Sequence, residues 1–156
     1  MFSQYSNFLA PVIGSIISIN LNNWLGRRLS LLVTGVVSII GVVIELTSAV
    51  GGSARFSQLV VGKTIAALAM GLCANIVPIY LSETSTAAAR GFAVTMYSNA
   101  QVIGAIAAAG TVYATSERMD AGCYYIPIGI QLFPPLCMII GSLFLPESPR
   151  WLVLKG

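Results

Sequence analysis

The chain has 156 residues, 56% of them hydrophobic and only 8% charged, and its mean hydropathy is +0.86. Soluble domains carry roughly a quarter charged residues, so the 8 basic and 5 acidic side chains here cannot dress a water-facing shell. The net charge of +3 is scattered, with no basic run, which excludes a nucleic-acid surface; with no histidine, a Ser-His or Cys-His nucleophile pair cannot form, and no metal-ligand cluster or cofactor motif stands out.

Five stretches are long enough to cross about 30 Å of hydrocarbon at about 1.5 Å per residue. The first, Ser3 to Asn22, starts without the positive flank of a signal peptide. Gln4, Ser6, Asn7 and Asn20 make it the most polar of the five, so it faces protein or is a truncated or re-entrant piece. The second and third, Leu29 to Val50 and Ser57 to Leu81, each carry one ionisable side chain, Glu45 and Lys63. The fourth runs from Phe92 to Ala114 and the fifth from Cys123 to Leu145, leaving a tail over 146–156. Small residues recur at Ala66, Ala67, Ala69 and Gly71, and again at Ala105, Ala107, Ala108, Ala109 and Gly110. Lipid gives helices little hydrophobic drive to associate, so both runs predict close packing inside a bundle. Pro11, Pro78, Pro127, Pro134 and Pro135 fall inside spans and predict bends there. Cys73, Cys123 and Cys137 lie in or beside apolar runs and read as free thiols.

Alternate loops must lie on opposite sides of the membrane. One side then carries Arg27, Arg28, Arg90, Arg150 and Lys155 against Arg55 and Arg118 on the other, which places the first set in the cytoplasm. The amino terminus is then outside, an arrangement that predicts a further helix upstream.

Glu45 and Lys63 are functional candidates because an unpaired charge at depth costs several kcal/mol. Each lies roughly 8 to 9 Å below the outer surface by helical rise, so the two could pair. Snorkelling to the outer interface is the competing reading for both.

Three loops carry a resemblance. PESPRWL at Pro146 to Leu152 resembles the signature that ends the sixth helix of sugar porters in the major facilitator superfamily. PIYLSETSTAAARG at Pro78 to Gly91 is similar to the pattern P-x-Y-x-S-E-x-x-P-x-x-x-R-G between the fourth and fifth helices of that family. NNWLGRR at Asn22 to Arg28 is similar to its D-x-x-G-R-R loop between helices two and three. The motifs occur in the family's order, separated by the right number of spans. The run Tyr124 to Gln131 further resembles the Y-x-I-P-x-x-x-Q pattern of fungal α-glucoside porters.

The resemblance implies an all-α membrane protein in which this chain is a five-helix fragment, helices two to six, of an amino-terminal six-helix bundle. It implies a plasma-membrane carrier of sugar that works by alternating access, with a proton as the coupling ion, and a chain inactive by itself. The alternatives are a membrane interaction protein that associates with the missing half or with a full-length relative, and a carrier of a non-sugar solute such as quinate or inositol. By the same resemblance, Arg27, Arg28, Glu83, Arg90, Glu147 and Arg150 match a cytoplasmic ion-pair network that gates the carrier. Arginine suits that work because its planar fork grips a carboxylate twice. The Asp of the first loop is Asn23 here, the Pro of the second is Thr86, and the Arg of the fourth helix is Lys63. The family's sugar-binding glutamine falls on Ser98, with Asn99 and Gln101 nearby, able to present amides from other faces of that helix.

Overall fold

The computed structural model describes residues 2–48, 56–116 and 122–146. Its elements are helices: α1 (Phe2–Leu25), α2 (Arg27–Ser48), α3 (Phe56–Thr84), α4 (Arg90–Ser116), α5 (Gly122–Gln131) and α6 (Phe133–Phe144). Five spans are long and apolar enough to cross a membrane, with α5 and α6 together forming the fifth. The first is therefore a full helix, neither short nor re-entrant, and it runs through Pro11 without interruption. Pro78 likewise leaves α3 unbroken.

Only the fifth span divides. Pro134 and Pro135 have no N–H to give to the carbonyls of Ile130 and Gln131, so two successive helical bonds are lost. The Leu132 N–H turns back to Gly129 O at 3.2 Å, a tighter turn than the α-helix makes, and α6 restarts when the Leu136 N–H bonds to Leu132 O.

Helix α3 is the centre of the bundle, with α1 and α2 packed along its length, α6 against α2, and α4 touching α3 and α5. The reason is residue size. A Cβ built on Gly62 would lie 2.8 Å from Glu45 Cγ and 3.0 Å from Gly41 O, and one on Gly41 would lie 2.8 Å from Ala66 N. The α2 and α3 backbones thus meet at Gly41, Gly62 and Ala66, a small-residue crossing of the kind the third span predicts. Helix α1 meets α3 in the same way, because Gly14 abuts Leu68 and Gly71 abuts Pro11. The second small-residue run behaves differently. Nothing lies within 4 Å of a Cβ on Gly104 or Gly110, and among the described residues that stretch of α4 is exposed.

Several polar side chains inside the bundle are bonded to their own helix or across the α1–α3 seam. Ser30, Thr34 and Ser142 are fully buried, and each hydroxyl donates to a carbonyl three or four residues back. Across the α1–α3 seam, Asn75 donates to Ser15 O and to Ser18 Oγ, both at 3.0 Å. Toward one end, Leu31, Leu72, Ile76 and Tyr80 form a buried cluster, with Leu21, Met138 and Leu145 packed around it. That end, at which α1, α3 and α6 finish and α2 and α4 begin, is hereafter the basic end.

Candidate functional site

Three helices terminate at the basic end, and each leaves carbonyls without intrahelical partners and the negative pole of a helix dipole. Two adjacent arginines answer them. Helices α1 and α2 are joined by one residue, Gly26, whose φ of 84° lies in the left-handed region that a side chain disfavours. This sharp reversal sets Arg27 and Arg28 at the start of α2, beside the ends of α1, α3 and α6.

Arg27 grips Glu83 with both arms of its fork: Nε donates to Oε2 at 3.0 Å and Nη2 to Oε1 at 2.8 Å. Its Nη1 donates to Asn22 O at 3.1 Å, capping α1. The two side chains are only 11% and 10% exposed. Glu83 sits in the last turn of α3, where the helix dipole opposes a carboxylate, so it needs the arginine opposite. Arg28 turns to the neighbouring helix, with Nε on Ser142 O and Nη2 on Leu143 O, both at 3.0 Å. The Tyr80 hydroxyl donates to Pro146 O at 3.0 Å, and the Leu145 N–H to Gly141 O at 3.1 Å.

The structure brings together three of the residues matched to the gating network, Arg27, Arg28 and Glu83. Arg90 opens α4 and is exposed, and among the described residues its side chain makes no ion pair. Asn23, at the position of the missing Asp, is exposed; its neighbour Asn22 is the buried one, 3% exposed, with neither amide atom hydrogen-bonded. Glu147, Arg150 and Lys155, and with them Arg55 and Arg118 on the opposite side, lie outside the described residues.

Glu45 and Lys63 do not form the pair their depths allow. Glu45 is 1% exposed, packed over Gly62, and its Oε1 has no partner, whereas Lys63 is exposed.

On α4, Ser98, Asn99 and Gln101 are all exposed. Ser98 donates to Val94 O at 3.3 Å and Gln101 to the Tyr97 hydroxyl at 3.0 Å. At about 100° per residue, Ser98 and Gln101 share a side of the helix with Ala105 and Ala108. Asn99 lies on another, with Phe92, Ile103 and Ile106, which are 66 to 67% exposed.

Three bonded groups escaped the reading of the sequence. Tyr80 carried a signal, since a tyrosine at the end of an apolar span usually finds a partner for its hydroxyl. So did Asn75, an amide inside an apolar span. The Ser142 and Leu143 carbonyls carried none, because backbone acceptors have no sequence signature.

The comparisons agree with this architecture. The model of the sugar (and other) transporter family matches residues 5–156. A quinate permease of Neurospora terricola is 35% identical over 145 residues, which are 92% of this chain and 27% of that protein. The hexose transporter HXT13 of Saccharomyces cerevisiae is 33% identical over 141 residues, 90% of this chain and 24% of that protein. Among solved structures, the xylose transporter XylE from E. coli in a partially occluded inward-open conformation superposes with a TM-score of 0.88 at 25% identity. That match covers 99% of this chain and 41% of XylE. The chain thus spans about a quarter of the length of the curated relatives it matches. It is a multi-pass membrane protein of all-α fold and belongs to the sugar (and other) transporter family.

Proposed function

We propose that the chain forms part of one wall of an alternating-access carrier for a polyhydroxylated solute, a sugar or a hydroxylated acid of the quinate type. The observation that carries this reading is the forked Arg27–Glu83 pair, which ties the first loop to the end of α3 at the basic end. A carrier that rocks about a central site needs such a fastening at one mouth, strong enough to hold one state closed. The basic end faces the cytoplasm, because Arg27, Arg28 and Arg90 lie close to helix ends there, and the plasma membrane is the expected location. Both quinate and hexose carriers are among the relatives, so the solute class is kept at polyols and their acids.

Ser98 and Gln101, on one side of α4, are the solute-facing polar groups of this reading, and Asn99 faces elsewhere. Glu45 and Lys63 are its coupling charges for a proton, in keeping with the structural similarity to XylE, a proton:xylose symporter. Enclosing a solute takes a second wall, so the five spans alone are expected not to accumulate one. The remainder of a full-length relative is the partner that would supply that wall.

The test is a chimera in which residues 5–146 replace the matching segment of the yeast hexose transporter. Solute uptake by cells expressing it, lost on Arg27→Gln, is the expected result. A chimera that reaches the cell surface and moves no sugar, polyol or quinate would overturn the transport reading. Saturable accumulation by proteoliposomes holding this chain alone would overturn its assignment to a single wall.

A further inference from the structure

We propose that Arg28 and Tyr80 are positioning residues that clamp the exit of α6 to α2 and α3, so that the basic ends of these three helices move as one piece. This rests on the alternating-access reading for its purpose, though not for its geometry.

The observation is a division of labour between neighbours in the sequence. Arg27 spends its fork on a carboxylate, whereas the Arg28 fork spans two successive peptide carbonyls, Ser142 O and Leu143 O, at 3.0 Å each. These are carbonyls of the last helical turn, the group that a helix leaves without internal partners and the pole to which a cation is drawn. Three residues on, Pro146 O accepts from the Tyr80 hydroxyl at 3.0 Å. Side chains from two different helices therefore hold three of the carbonyls over Ser142 to Pro146.

The packing beneath is equally committed. Ser142 is 1% exposed, Tyr80 is 6% exposed, and Leu145 packs on the cluster that contains Tyr80, Ile76 and Leu31. One helical turn further back, Ile139 Cγ1 lies against Gly35 of α2, where a Cβ would come within 2.5 Å of it. The α6 exit is thus fixed in direction by carbonyl clamping and in depth by close packing. Any displacement of the α2 and α3 ends is handed on to the end of α6. A lysine cannot replace Arg28 in this role, because an ammonium is a point donor and cannot span two fixed acceptors.

The experiment is amide hydrogen exchange, read by mass spectrometry, on this chain in lipid nanodiscs without solute. The amides of Leu143 to Leu145 report opening of the α6 end, and those of residues 60–76 serve as the internal reference. Arg28→Gln is expected to speed exchange at Leu143 to Leu145 by about tenfold while leaving the reference unchanged. Arg28→Lys should resemble Arg28→Gln, and Tyr80→Phe should give a smaller acceleration at the same amides. Wild-type exchange in R28K would show that charge at the helix end suffices and would overturn the clamp, as would unchanged exchange in R28Q or Y80F. If R28Q does not fold, R28K and Y80F still decide. Because no solute is present, failure here leaves the transport reading standing, and failure of the chimera leaves the clamp standing.

Discussion

Two neighbouring residues at the basic end illustrate how differently buried polar groups behave. The Arg27–Glu83 pair is nearly sealed and bonded at both arms, so removing one partner leaves the two forked bonds of the other unmade in a poorly solvated site. Arg27→Gln or Glu83→Gln should each lower stability by about 2 kcal/mol, between the values for exposed and for fully buried pairs. The double change to leucine should recover to within about 1 kcal/mol of the parent, since neither charge is then left alone. Titration with SDS of the chain in mixed micelles measures both. Asn22 predicts the opposite sign. Its amide is buried and without a hydrogen bond among the described residues, so Asn22→Leu removes a desolvation penalty and should stabilise by about 1 kcal/mol in the same assay. At this scale the sequence was a partial guide. The motif resemblance found Arg27 and Glu83, but it pointed to Asn23, which faces out. Both asparagines lie inside α1, and the buried one is Asn22 because it continues the buried stripe of Ala10, Gly14 and Ser18, each four residues on along one face of the helix.

At the scale of helices, hydropathy predicts five spans, and five helices are long and apolar enough to cross a membrane, because spacing of charge and length of apolar runs are sequence properties. What it could not read was which small residues touch. Both the third and the fourth span carry runs of glycine and alanine, yet the third is the packing axis of the bundle and the fourth, the richer of the two, is largely exposed. Small-residue content does not decide the outcome; partner geometry does. The contrast yields a paired prediction. Gly62→Val must displace Glu45 or the α2 backbone and should cost about 2–3 kcal/mol. Gly104→Ala meets nothing and should be neutral or gain up to about 1 kcal/mol from helix propensity. Thermal unfolding of the two variants in the same detergent separates them. The prolines teach a related lesson: single prolines left α1 and α3 continuous, and only the adjacent pair Pro134–Pro135 broke a span. One missing bond is absorbed by a packed helix, while two in succession are not.

Seen as a whole, the bundle is lopsided. Helices α1, α2, α3 and α6 share one packed interior, whereas α4 touches α3 and α5 but buries only Thr115 among the described residues and is exposed along most of its length. A helix this open has to meet two different surroundings in a complete carrier, lipid on one side and the solute path on the other, and its sides differ accordingly. Phe92, Asn99, Ile103 and Ile106 form a bulky apolar side interrupted by one amide. Ser98, Gln101, Ala105 and Ala108 form a small and polar one, the side proposed to face the solute. In the chimera with the yeast hexose transporter, with Cys73, Cys123 and Cys137 replaced by serine, single cysteines read these surroundings directly. A membrane-impermeant maleimide needs water and a thiolate. Ser98→Cys and Gln101→Cys should therefore label and be protected by solute, while Ile103→Cys and Ile106→Cys should label only with a lipid-soluble reagent. Asn99→Cys is the decisive case, because the sequence grouped it with Ser98 and Gln101 and the helix turns it toward Ile103. Rapid, solute-protected labelling at Asn99 would place the solute path on the bulky side of α4 and reverse the assignment of its two sides.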